Sequence, residues 1–538
     1  MRYDHVIVGG GSAGAVMAAR LSEDPKTTVC LLEAGGDGRD LLIRVPAGAV
    51  AMMPGKPVRL NNWAFETVPQ RGLNGRRGYQ PRGQTLGGSS AINAMVYVRG
   101  NPRDYDGWAE AGAPGWDHAS VLPYFRRAEN NERGADAFHG GSGPQQVADP
   151  CSPRPITEAW VQAGIASGLN LNTDFNGAQQ QGIGHYQVTQ FHDSRRGQRC
   201  STAAAYLHPV LHERPNLTVI TQAHTRRILM DGERAIGVEY DHKGQRVQAL
   251  AEREVLLCAG TFQSPQLLML SGIGPGDELR RHGLPVLHER RGVGRNLQDH
   301  PDVVLSYGVN TTDVFGIGVA GTFRLLGAMN EWRRGGTGLL STNFAEGGAF
   351  FSIDNDQPEW PDAQLHFVIA RVEDHGRRIL PGYGISCHAC LLRPESRGSV
   401  TLASADPSAA PVIDPDFLGV PRDAERLLRA VKRTMKIMRS APLARHIRRE
   451  HTTAGLDSDA ALMAMVRARA DTVYHPVGTC RMGLDDDAVV DPQLRVRGLQ
   501  GLRVIDASVM PQLPSGNTNA PTIMIAERAV DLIRTPSP

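Results

Sequence analysis

The chain begins with Tyr3-Asp4-His5-Val6-Ile7-Val8-Gly9-Gly10-Gly11-Ser12-Ala13-Gly14, and this stretch decides the fold. Its apolar first half predicts a short buried strand, and its second half is a glycine-rich turn. Residues 15–21 then predict a helix, and residues 28–32 predict a second buried strand that ends at Glu33. Strand, glycine turn, helix, strand and acid in this order are typical of a dinucleotide-binding βαβ unit.

Each glycine of the Gly9-x-Gly11-x-x-Gly14 pattern has a physical task. Gly9 permits the tight turn, Gly11 lets the backbone approach a pyrophosphate, and Gly14 lets the helix pack closely on the strand. The free N–H groups at the start of the helix, around Ser12 and Ala13, favour phosphate charge because the helix dipole points there.

The acid at the end of the second strand completes the pattern. Glu33, followed by Ala34, lies about 20 residues past the last glycine, where a carboxylate accepts hydrogen bonds from ribose hydroxyls. A glycine turn that binds no nucleotide is the alternative, and the ordered set of five features disfavours it.

The composition indicates a large protein with a neutral balance of charge. The chain has 538 residues, of which 41% are apolar and 21% are charged, and its net charge is +2. This balance gives no electrostatic case for nucleic-acid binding. No apolar run reaches the roughly 20 residues that span a bilayer, and no signal peptide is recognisable at Met1. We therefore expect a cytoplasmic protein, at most peripheral at the inner membrane.

The cysteines do not predict a metal or redox site. The chain has seven cysteines, an odd number that fits a reducing compartment. Cys387-His388-Ala389-Cys390 has redox or metal spacing, but no second pair matches it. It lies in an alternating stretch typical of a strand, so we interpret both cysteines as ordinary strand residues.

A second glycine-rich segment, residues 83–93, also predicts a backbone pressed against a ligand. Together with the segments 260–274 and 292–300, it makes the chain similar to the glucose–methanol–choline (GMC) family of FAD-dependent oxidoreductases. Asn93, Gly100 and Asp106 occur at the spacing of the first signature of that family. Among its members, the chain most resembles bacterial choline-dehydrogenase-like primary alcohol dehydrogenases.

The resemblance implies FAD as the cofactor. Position 92 is Ile where some members carry a flavin-linking histidine, so we expect the FAD to be held non-covalently. Gln84 also departs from the usual residue of the first signature, which leaves one nearby contact unassigned. The residues that match FAD-contacting positions are Gly9, Gly11, Ser12, Ala13, Gly14, Glu33, Ala34, Gly87, Ser90, Asn93, Ala94, Met95, Val96, Thr225, Asp506, Ala507, Pro521 and Thr522.

Two residues near the C-terminus match catalytic positions of the family. An aliphatic alcohol has a pKa of about 16, close to that of water, so it keeps its proton unless a base is positioned. His475 matches the catalytic histidine, and imidazole suits this task near neutral pH. Asn519 matches the second position, where an amide hydrogen-bonds the alcohol oxygen; a turn-forming role is its alternative. Pro521 is expected to begin the last helix, residues 522–533, with its N-terminus at the pyrimidine edge of the flavin.

The expected fold class is α/β, with a Rossmann-like FAD-binding domain and a discontinuous α+β substrate domain of antiparallel sheet flanked by helices. We expect the FAD domain at residues 1–155, 200–305 and 470–538, and the substrate domain at 156–199 and 306–469. Alternation in residues 364–369 and 385–392 predicts strands that face water on one side. Residues 422–439 predict an amphipathic helix whose basic face is solvated; a membrane or partner surface is the alternative.

The resemblance predicts oxidation of a primary alcohol to an aldehyde, with hydride transfer to flavin N5 and reoxidation by an acceptor such as a quinone. An alcohol oxidase that uses O2 and an FAD-containing hydroxynitrile lyase remain alternatives. The particular alcohol and the oligomeric state cannot be predicted. Trp63, Trp332 and Trp360 are either a cation–π cage for choline or core aromatics, and Glu346 is either a substrate-side acid or a satisfied one.

Overall fold

The computed structural model describes residues 1–317, 319–354, 356–378 and 380–535, and two large β-sheets dominate it. Its α-helices in chain order are α1 (Ser12–Leu21), α2 (Leu41–Arg44), α3 (Ala49–Met52), α4 (Pro102–Glu110), α5 (His118–Ala128), α6 (Pro155–Ala166), α7 (Gly260–Leu270), α8 (Gly276–Arg281), α9 (Val319–Gly335), α10 (Pro421–Met438), α11 (Ala441–Ala444), α12 (Asp459–Arg469) and α13 (Asn519–Arg534).

The strands in chain order are β1 (Arg2–Val8), β2 (Val29–Leu32), β3 (Phe65–Glu66), β4 (Tyr79–Gln80), β5 (Glu129–Asn131), β6 (Gln145–Val147), β7 (Gly182–His185), β8 (Leu217–Ile220), β9 (Ala223–Asp231), β10 (Arg234–His242), β11 (Gln245–Leu257), β12 (Ile273–Gly274), β13 (His288–Glu289), β14 (Pro301–Val309), β15 (Gly316–Ile317), β16 (Ala345–Phe351), β17 (Ala363–Val368), β18 (Gly382–Leu391), β19 (Ser399–Thr401), β20 (Val412–Asp414), β21 (Ile447–Glu450), β22 (Asp471–Thr472) and β23 (Leu502–Val504).

The first sheet has the order β8-β2-β1-β11-β10-β9, and β23 also pairs with β11. Strands β8, β2, β1, β11 and β23 pair in parallel, whereas β9, β10 and β11 form an antiparallel meander. The apolar runs of β1 and β2 are buried because parallel sheets are covered on both faces. The predicted βαβ unit and the Rossmann-like fold class are confirmed.

The second sheet is antiparallel, with the order β21-β14-β18-β17-β16-β7. The expectation that its strands face water on one side was wrong. Every residue of β16 and β17 is buried. Helices α6 and α10 pack against β16 and β18, and side chains of β17 line the large cavity described below. Alternating sequence therefore marks here a sheet with one apolar face and one polar, ligand-facing face.

The expected domain division stays a prediction. Strands β7 and β16–β18 share the second sheet, as expected. Residues 301–305 of β14 and the two residues of β22 also pair within the second sheet, although they were assigned to the first domain.

Helix α10 carries less solvated charge than predicted. Arg426, on its basic face, is buried, and its Nη2 donates to Asp362 Oδ2 at 2.7 Å. Arg433 is half-buried over the Phe351 ring, and the other basic residues of that face are exposed. Among the described helices, none is both long enough and apolar enough to cross a membrane.

Helix α13 is held in place by a buried carboxylate. Glu527 is fully buried and accepts hydrogen bonds from Arg20 at 2.9 Å, Arg127 at 2.8 Å and the Tyr206 hydroxyl at 2.8 Å. These partners belong to α1, α5 and the turn after Thr202, so α13 is fixed against the βαβ unit. The N-terminus of α13 therefore has a defined position at the cavity.

Candidate active site

A cavity of about 1140 Å³ lies at the edge where the parallel strands of the first sheet end. Gly9 follows β1, Glu33 follows β2, Cys258 follows β11, and Asp506 lies just beyond β23; all four line this cavity. Ligands of open α/β sheets bind outside the carboxyl ends of the strands. The volume exceeds the roughly 300–1,000 Å³ of ordinary small-molecule pockets, as a dinucleotide requires.

The two glycine-rich segments contact each other at the start of α1. Gly9 has a φ of +96°, and a Cβ added to Gly14 would lie 1.9 Å from the Gly9 carbonyl oxygen. A Cβ on Gly88 would lie 2.7 Å from the Cα of Gly11. Side chains are therefore excluded from this corner, and the backbone N–H groups at the start of α1 remain free to approach a pyrophosphate.

Two buried carboxylates shape the nucleotide end of the cavity. Glu33 accepts from the N–H groups of Gly10 and Gly35, both at 2.8 Å. Asp506 accepts from the Gly260 N–H at 2.9 Å and from the Ser264 hydroxyl at 2.6 Å. Burial raises the pKa of both carboxyls, while the backbone donors oppose that shift.

Arg199 is a site residue that sequence analysis missed. It is buried, and its Nη1 donates to the Asn93 carbonyl at 2.6 Å and to Asn93 Oδ1 at 2.9 Å. Burial lowers its pKa to about 9. Arg199 thereby fixes the loop in which Met95 adopts a φ of +57°. No local pattern marks this arginine, because its partner lies more than 100 residues earlier in the chain.

The cavity brings most of the predicted cofactor and catalytic residues together. Those that line it are Gly9, Gly11, Ser12, Ala13, Glu33, Ala34, Asn93, Ala94, Met95, Val96, Thr225, His475, Asp506, Ala507, Asn519 and Thr522. Four others, Gly14, Gly87, Ser90 and Pro521, lie behind the wall. Ser90, for example, donates to the Gly87 carbonyl at 2.6 Å and accepts from the Thr202 N–H at 2.9 Å.

His475 stands on a loop with a constrained backbone. Tyr474, just before it, has a φ of +77°, a conformation that costs about 1–3 kcal/mol in a residue other than glycine. The His475 N–H donates to Asp299 Oδ1 at 2.9 Å, and the Thr472 hydroxyl donates to Asp299 Oδ2 at 2.6 Å. Burial raises the pKa of Asp299 to about 6. Nδ1 of the His475 ring lies 3.0 Å from Nδ1 of His300.

The amide beside His475 belongs to Asn517 rather than Asn519. Asn517 Nδ2 lies 3.0 Å from His475 Nε2. Oδ1 of Asn519 instead accepts from the Ser12 hydroxyl at 2.7 Å, which joins the N-termini of α13 and α1. The predicted helix start was wrong: α13 begins at Asn519, so Asn519 lies at the helix terminus and Asn517 lies in the preceding loop. The catalytic role of Asn519 stays a prediction. The sequence contained the signal, because Asn517 lies in the same motif.

A chain of hydrogen bonds sets the orientation of that amide. The Tyr186 hydroxyl donates to the Leu365 carbonyl at 2.9 Å, so its oxygen accepts from Gln364 Nε2 at 2.9 Å. Gln364 Nε2 also donates to Asn517 Oδ1 at 3.1 Å, which turns Asn517 Nδ2 toward His475. An amide nitrogen only donates, so His475 Nε2 carries the lone pair and its Nδ1 carries the proton.

The surroundings keep His475 uncharged. Burial lowers its pKa well below the ordinary value, and the neighbouring His300, His366 and Arg82 side chains act in the same direction. Burial also lowers the pKa of His300 to about 3, against the effect of the Leu392 and Pro514 carbonyls that face its ring. His475 is therefore a neutral imidazole with an available lone pair at the cavity, as a general base requires.

Other sequence candidates have structural roles. Glu346 accepts from the Arg154 N–H at 2.8 Å and from the hydroxyls of Thr157 and Thr342, so it is a satisfied buried acid. Trp332 is in the core, and Trp360 lies under the Arg393 guanidinium. Trp63 lines the cavity and stacks on Phe65. Cys387 and Cys390 are buried free thiols of β18. No group of three or more metal-ligating side chains occurs within the described ranges.

A Rossmann-like sheet, a dinucleotide-sized cavity and a neutral histidine at its far end define a nucleotide-dependent oxidoreductase. Family models described as GMC oxidoreductase match residues 3–302 and 394–526. The chain therefore belongs to the GMC oxidoreductase family, as the sequence motifs predicted, and it is an FAD-dependent enzyme that acts on alcohols.

Known proteins similar to this chain agree with the family. An alcohol dehydrogenase [acceptor] from Pseudomonas putida is 44% identical over 99% of this chain and 95% of the relative. An oxygen-dependent choline dehydrogenase from Paraburkholderia xenovorans is 44% identical over 99% and 94%. Among solved structures, pyridoxine 4-oxidase from Mesorbium loti superposes with a TM-score of 0.88 at 32% identity, covering 98% of each chain. A fungal aryl-alcohol oxidase gives a TM-score of 0.85 at 25% identity, covering 99% and 98%.

Proposed function

We propose that the protein is a dehydrogenase that oxidises a primary alcohol to the aldehyde. The observation that supports this most directly is the pair formed by His475 Nε2 and Asn517 Nδ2, 3.0 Å apart at the cavity wall. An alcohol oxygen that replaces this contact gives its proton to the imidazole and accepts from the amide. When bound in this cavity, FAD would supply the hydride acceptor, N5 of its flavin ring.

The protein residues then divide the work. His475 takes the hydroxyl proton at Nε2, and His300 accepts the hydrogen bond from Nδ1, which holds the ring in the tautomer that the step requires. Asn517 fixes the direction of the alcohol oxygen without competing for its proton. The start of α13 contributes its dipole to the cavity, where negative charge is favoured.

We propose that the FAD is held without a covalent bond. The residues of the cavity fit the group, and Ile92, which lines the wall, has an alkyl side chain that forms no bond to a flavin. Acid or heat denaturation followed by filtration should release all of the yellow chromophore. Retention of the flavin on the precipitated chain would contradict this proposal.

The proposed reaction is tested by anaerobic mixing with a medium-chain primary alcohol while the oxidised flavin absorbance is followed. We expect the absorbance to bleach and to recover slowly on admission of air, with a quinone analogue restoring it quickly. Fast recovery in air with peroxide would assign an oxidase instead. Bound flavin that stays oxidised with every alcohol, together with cleavage of a hydroxynitrile, would assign the lyase.

We further propose that the acceptor is a quinone, reached at the inner-membrane surface. Large apolar side chains are unusually exposed between residues 41 and 60, where α2, α3 and the rim of the cavity lie. The exposed ones are Leu41, Leu42, Val50, Val58 and Leu60. The same segment exposes Arg44, Lys56 and Arg59, a composition that suits a surface of anionic lipid.

Vesicle co-sedimentation tests this surface. The protein should bind vesicles that contain phosphatidylglycerol and should bind neutral vesicles less. The double substitution Val58→Asp and Leu60→Asp should abolish binding, whereas Leu484→Asp, at an exposed leucine outside the segment, should leave it intact. Equal binding of all three proteins would contradict the proposed surface.

A further inference from the structure

His366, on strand β17, is a polar residue that faces the cavity and that the proposed reaction does not use. His366 is 4% exposed and lines the same cavity as His475. Both of its ring nitrogens are buried, and neither meets a hydrogen-bond partner within the described part of the chain. Native proteins rarely leave such a group unpaired unless a ligand or an ordered water completes it.

The neighbours of His366 keep its ring neutral. Burial lowers its pKa well below the ordinary value, and His388 and His300 add to the shift. The nearest carboxylate is already engaged, because Asp302 Oδ2 lies 2.6 Å from His388 Nδ1. A neutral imidazole offers one N–H donor and one lone pair, so it suits an uncharged polar group.

The strand also relates His366 to the residues that would contact the reacting alcohol. Gln364 and His366 are two residues apart on one face of β17, which corresponds to about 7 Å. Gln364 is hydrogen-bonded to Asn517, and Asn517 to His475. An alcohol whose hydroxyl lies at His475 and Asn517 therefore has His366 as a further polar neighbour in the same cavity.

The charges of the cavity wall do not favour an ammonium group at this position. Of the described residues that line the cavity, the carboxylates are Glu33 and Asp506. Both lie at the nucleotide end and accept from backbone N–H groups. A quaternary ammonium beside His366 would have no counter-charge among these residues.

We propose that the substrate is a primary alcohol with a second neutral oxygen, hydroxyl or ether, and that His366 binds this oxygen. The inference rests on the proposed alcohol oxidation and adds the substrate class. His366 is here a specificity-determining residue, and the reacting carbon remains at His475 and Asn517.

Three alcohols of equal heavy-atom count test the proposal on the FAD-loaded enzyme: 1-pentanol, 1,4-butanediol and 3-methoxy-1-propanol. The wild type should show a kcat/KM about tenfold higher for an oxygenated alcohol than for 1-pentanol, with the diol counted per hydroxyl and the difference mainly in KM. If only the diol is preferred over 1-pentanol, His366 binds a hydroxyl group. If the diol and the ether alcohol are both preferred, His366 binds either kind of neutral oxygen.

Variants separate hydrogen bonding from cavity shape. His366→Leu should remove the preference, and His366→Gln should retain part of it, because the amide still donates and accepts. Val368→Ala, which enlarges the same wall two residues further along β17, should leave the ratio within about twofold. Equal kcat/KM for the three alcohols in the wild type, or a preference that survives in His366→Leu, would overturn the inference. Flavin that none of the three alcohols reduces would instead overturn the proposed oxidation.

Discussion

Asn517 and Asn519 stand two residues apart and face different neighbours. Asn517 contacts His475, whereas Asn519 contacts Ser12 at the start of α1. Asn517→Ala should therefore slow flavin reduction by about 10²-fold, the usual cost of losing one positioned donor. Asn519→Ala should slow it less than tenfold and should weaken FAD retention instead. Stopped-flow reduction and the flavin-to-protein absorbance ratio measure both effects, and the reverse order of losses would return the amide role to Asn519.

The lowered pKa of His475 has a consequence for the pH profile. A base whose pKa is lowered stays unprotonated to lower pH, so its activity is present above the ordinary histidine pKa and is lost only when the pH falls below it. We expect kcat/KM for the alcohol to be level from pH 8 to about 6.5 and to fall only at lower pH. Half of the activity lost at pH 7 or above would contradict the neutral imidazole. Samples returned to pH 7.5 before assay control for acid damage.

At the scale of elements, the turn between β1 and α1 tolerates no side chain at Gly14. A Cβ there would lie 1.9 Å from the Gly9 carbonyl oxygen, and rigid backbone cannot give way. Gly14→Ala should therefore yield protein with little FAD and a lowered Tm. Gly36→Ala is the matched control, because its Cβ would meet nothing within 4 Å. Full flavin content in Gly14→Ala would show that the helix shifts without harm.

Gln364 of strand β17 is linked to the proposed base, His475, through the side-chain amide of Asn517. In Gln364→Glu, the carboxylate would accept from Asn517 Nδ2 and turn Asn517 Oδ1 toward His475. An acceptor at Nε2 favours the protonated imidazole, so the acid limb of the pH profile should move to higher pH and the reduction rate at pH 7 should fall. Gln364→Met removes the hydrogen bond to Asn517 without supplying an acceptor in its place. It should slow flavin reduction, but it should move the acid limb of the pH profile less than Gln364→Glu does. An unmoved limb in Gln364→Glu would break the proposed link between this strand and His475.

Whether an element could be predicted depends on how far apart in the sequence its contacting residues lie. The βαβ unit was predictable because its strand, turn and helix signals are local and consecutive. Arg199 and Gln364 act on loops far away in the sequence, and no local pattern records such a partner. The water-facing side expected for β17 and β18 was wrong for a related reason: polar residues such as His366 and His388 alternate as on a solvated face, but they line a ligand cavity. Helix α13 begins three residues before the expected residue 522, and Asn517, two residues before that helix, is the asparagine that contacts His475.

At the scale of the whole molecule, the two large sheets contribute opposite ends of one cavity. The first sheet supplies the nucleotide end, at Gly9 and Glu33, and the second supplies His366 near the reacting end. His475 belongs to the loop after β22, which pairs with the second sheet. Asn517 precedes α13, which packs on α1 of the βαβ unit. The proposed chemistry therefore needs both sheets to be in place. Because the two ends of the cavity use different residues, we expect single substitutions to affect cofactor binding and alcohol oxidation separately.

The most direct test of the central claim is the rate of anaerobic flavin reduction in the wild type and in His475→Ala, each mixed with the same primary alcohol. We expect the wild-type flavin to bleach, and we expect His475→Ala to keep its FAD and its Tm while its reduction slows by about 10²-fold or more. Wild-type-like reduction in His475→Ala would contradict the assignment of His475 as the base.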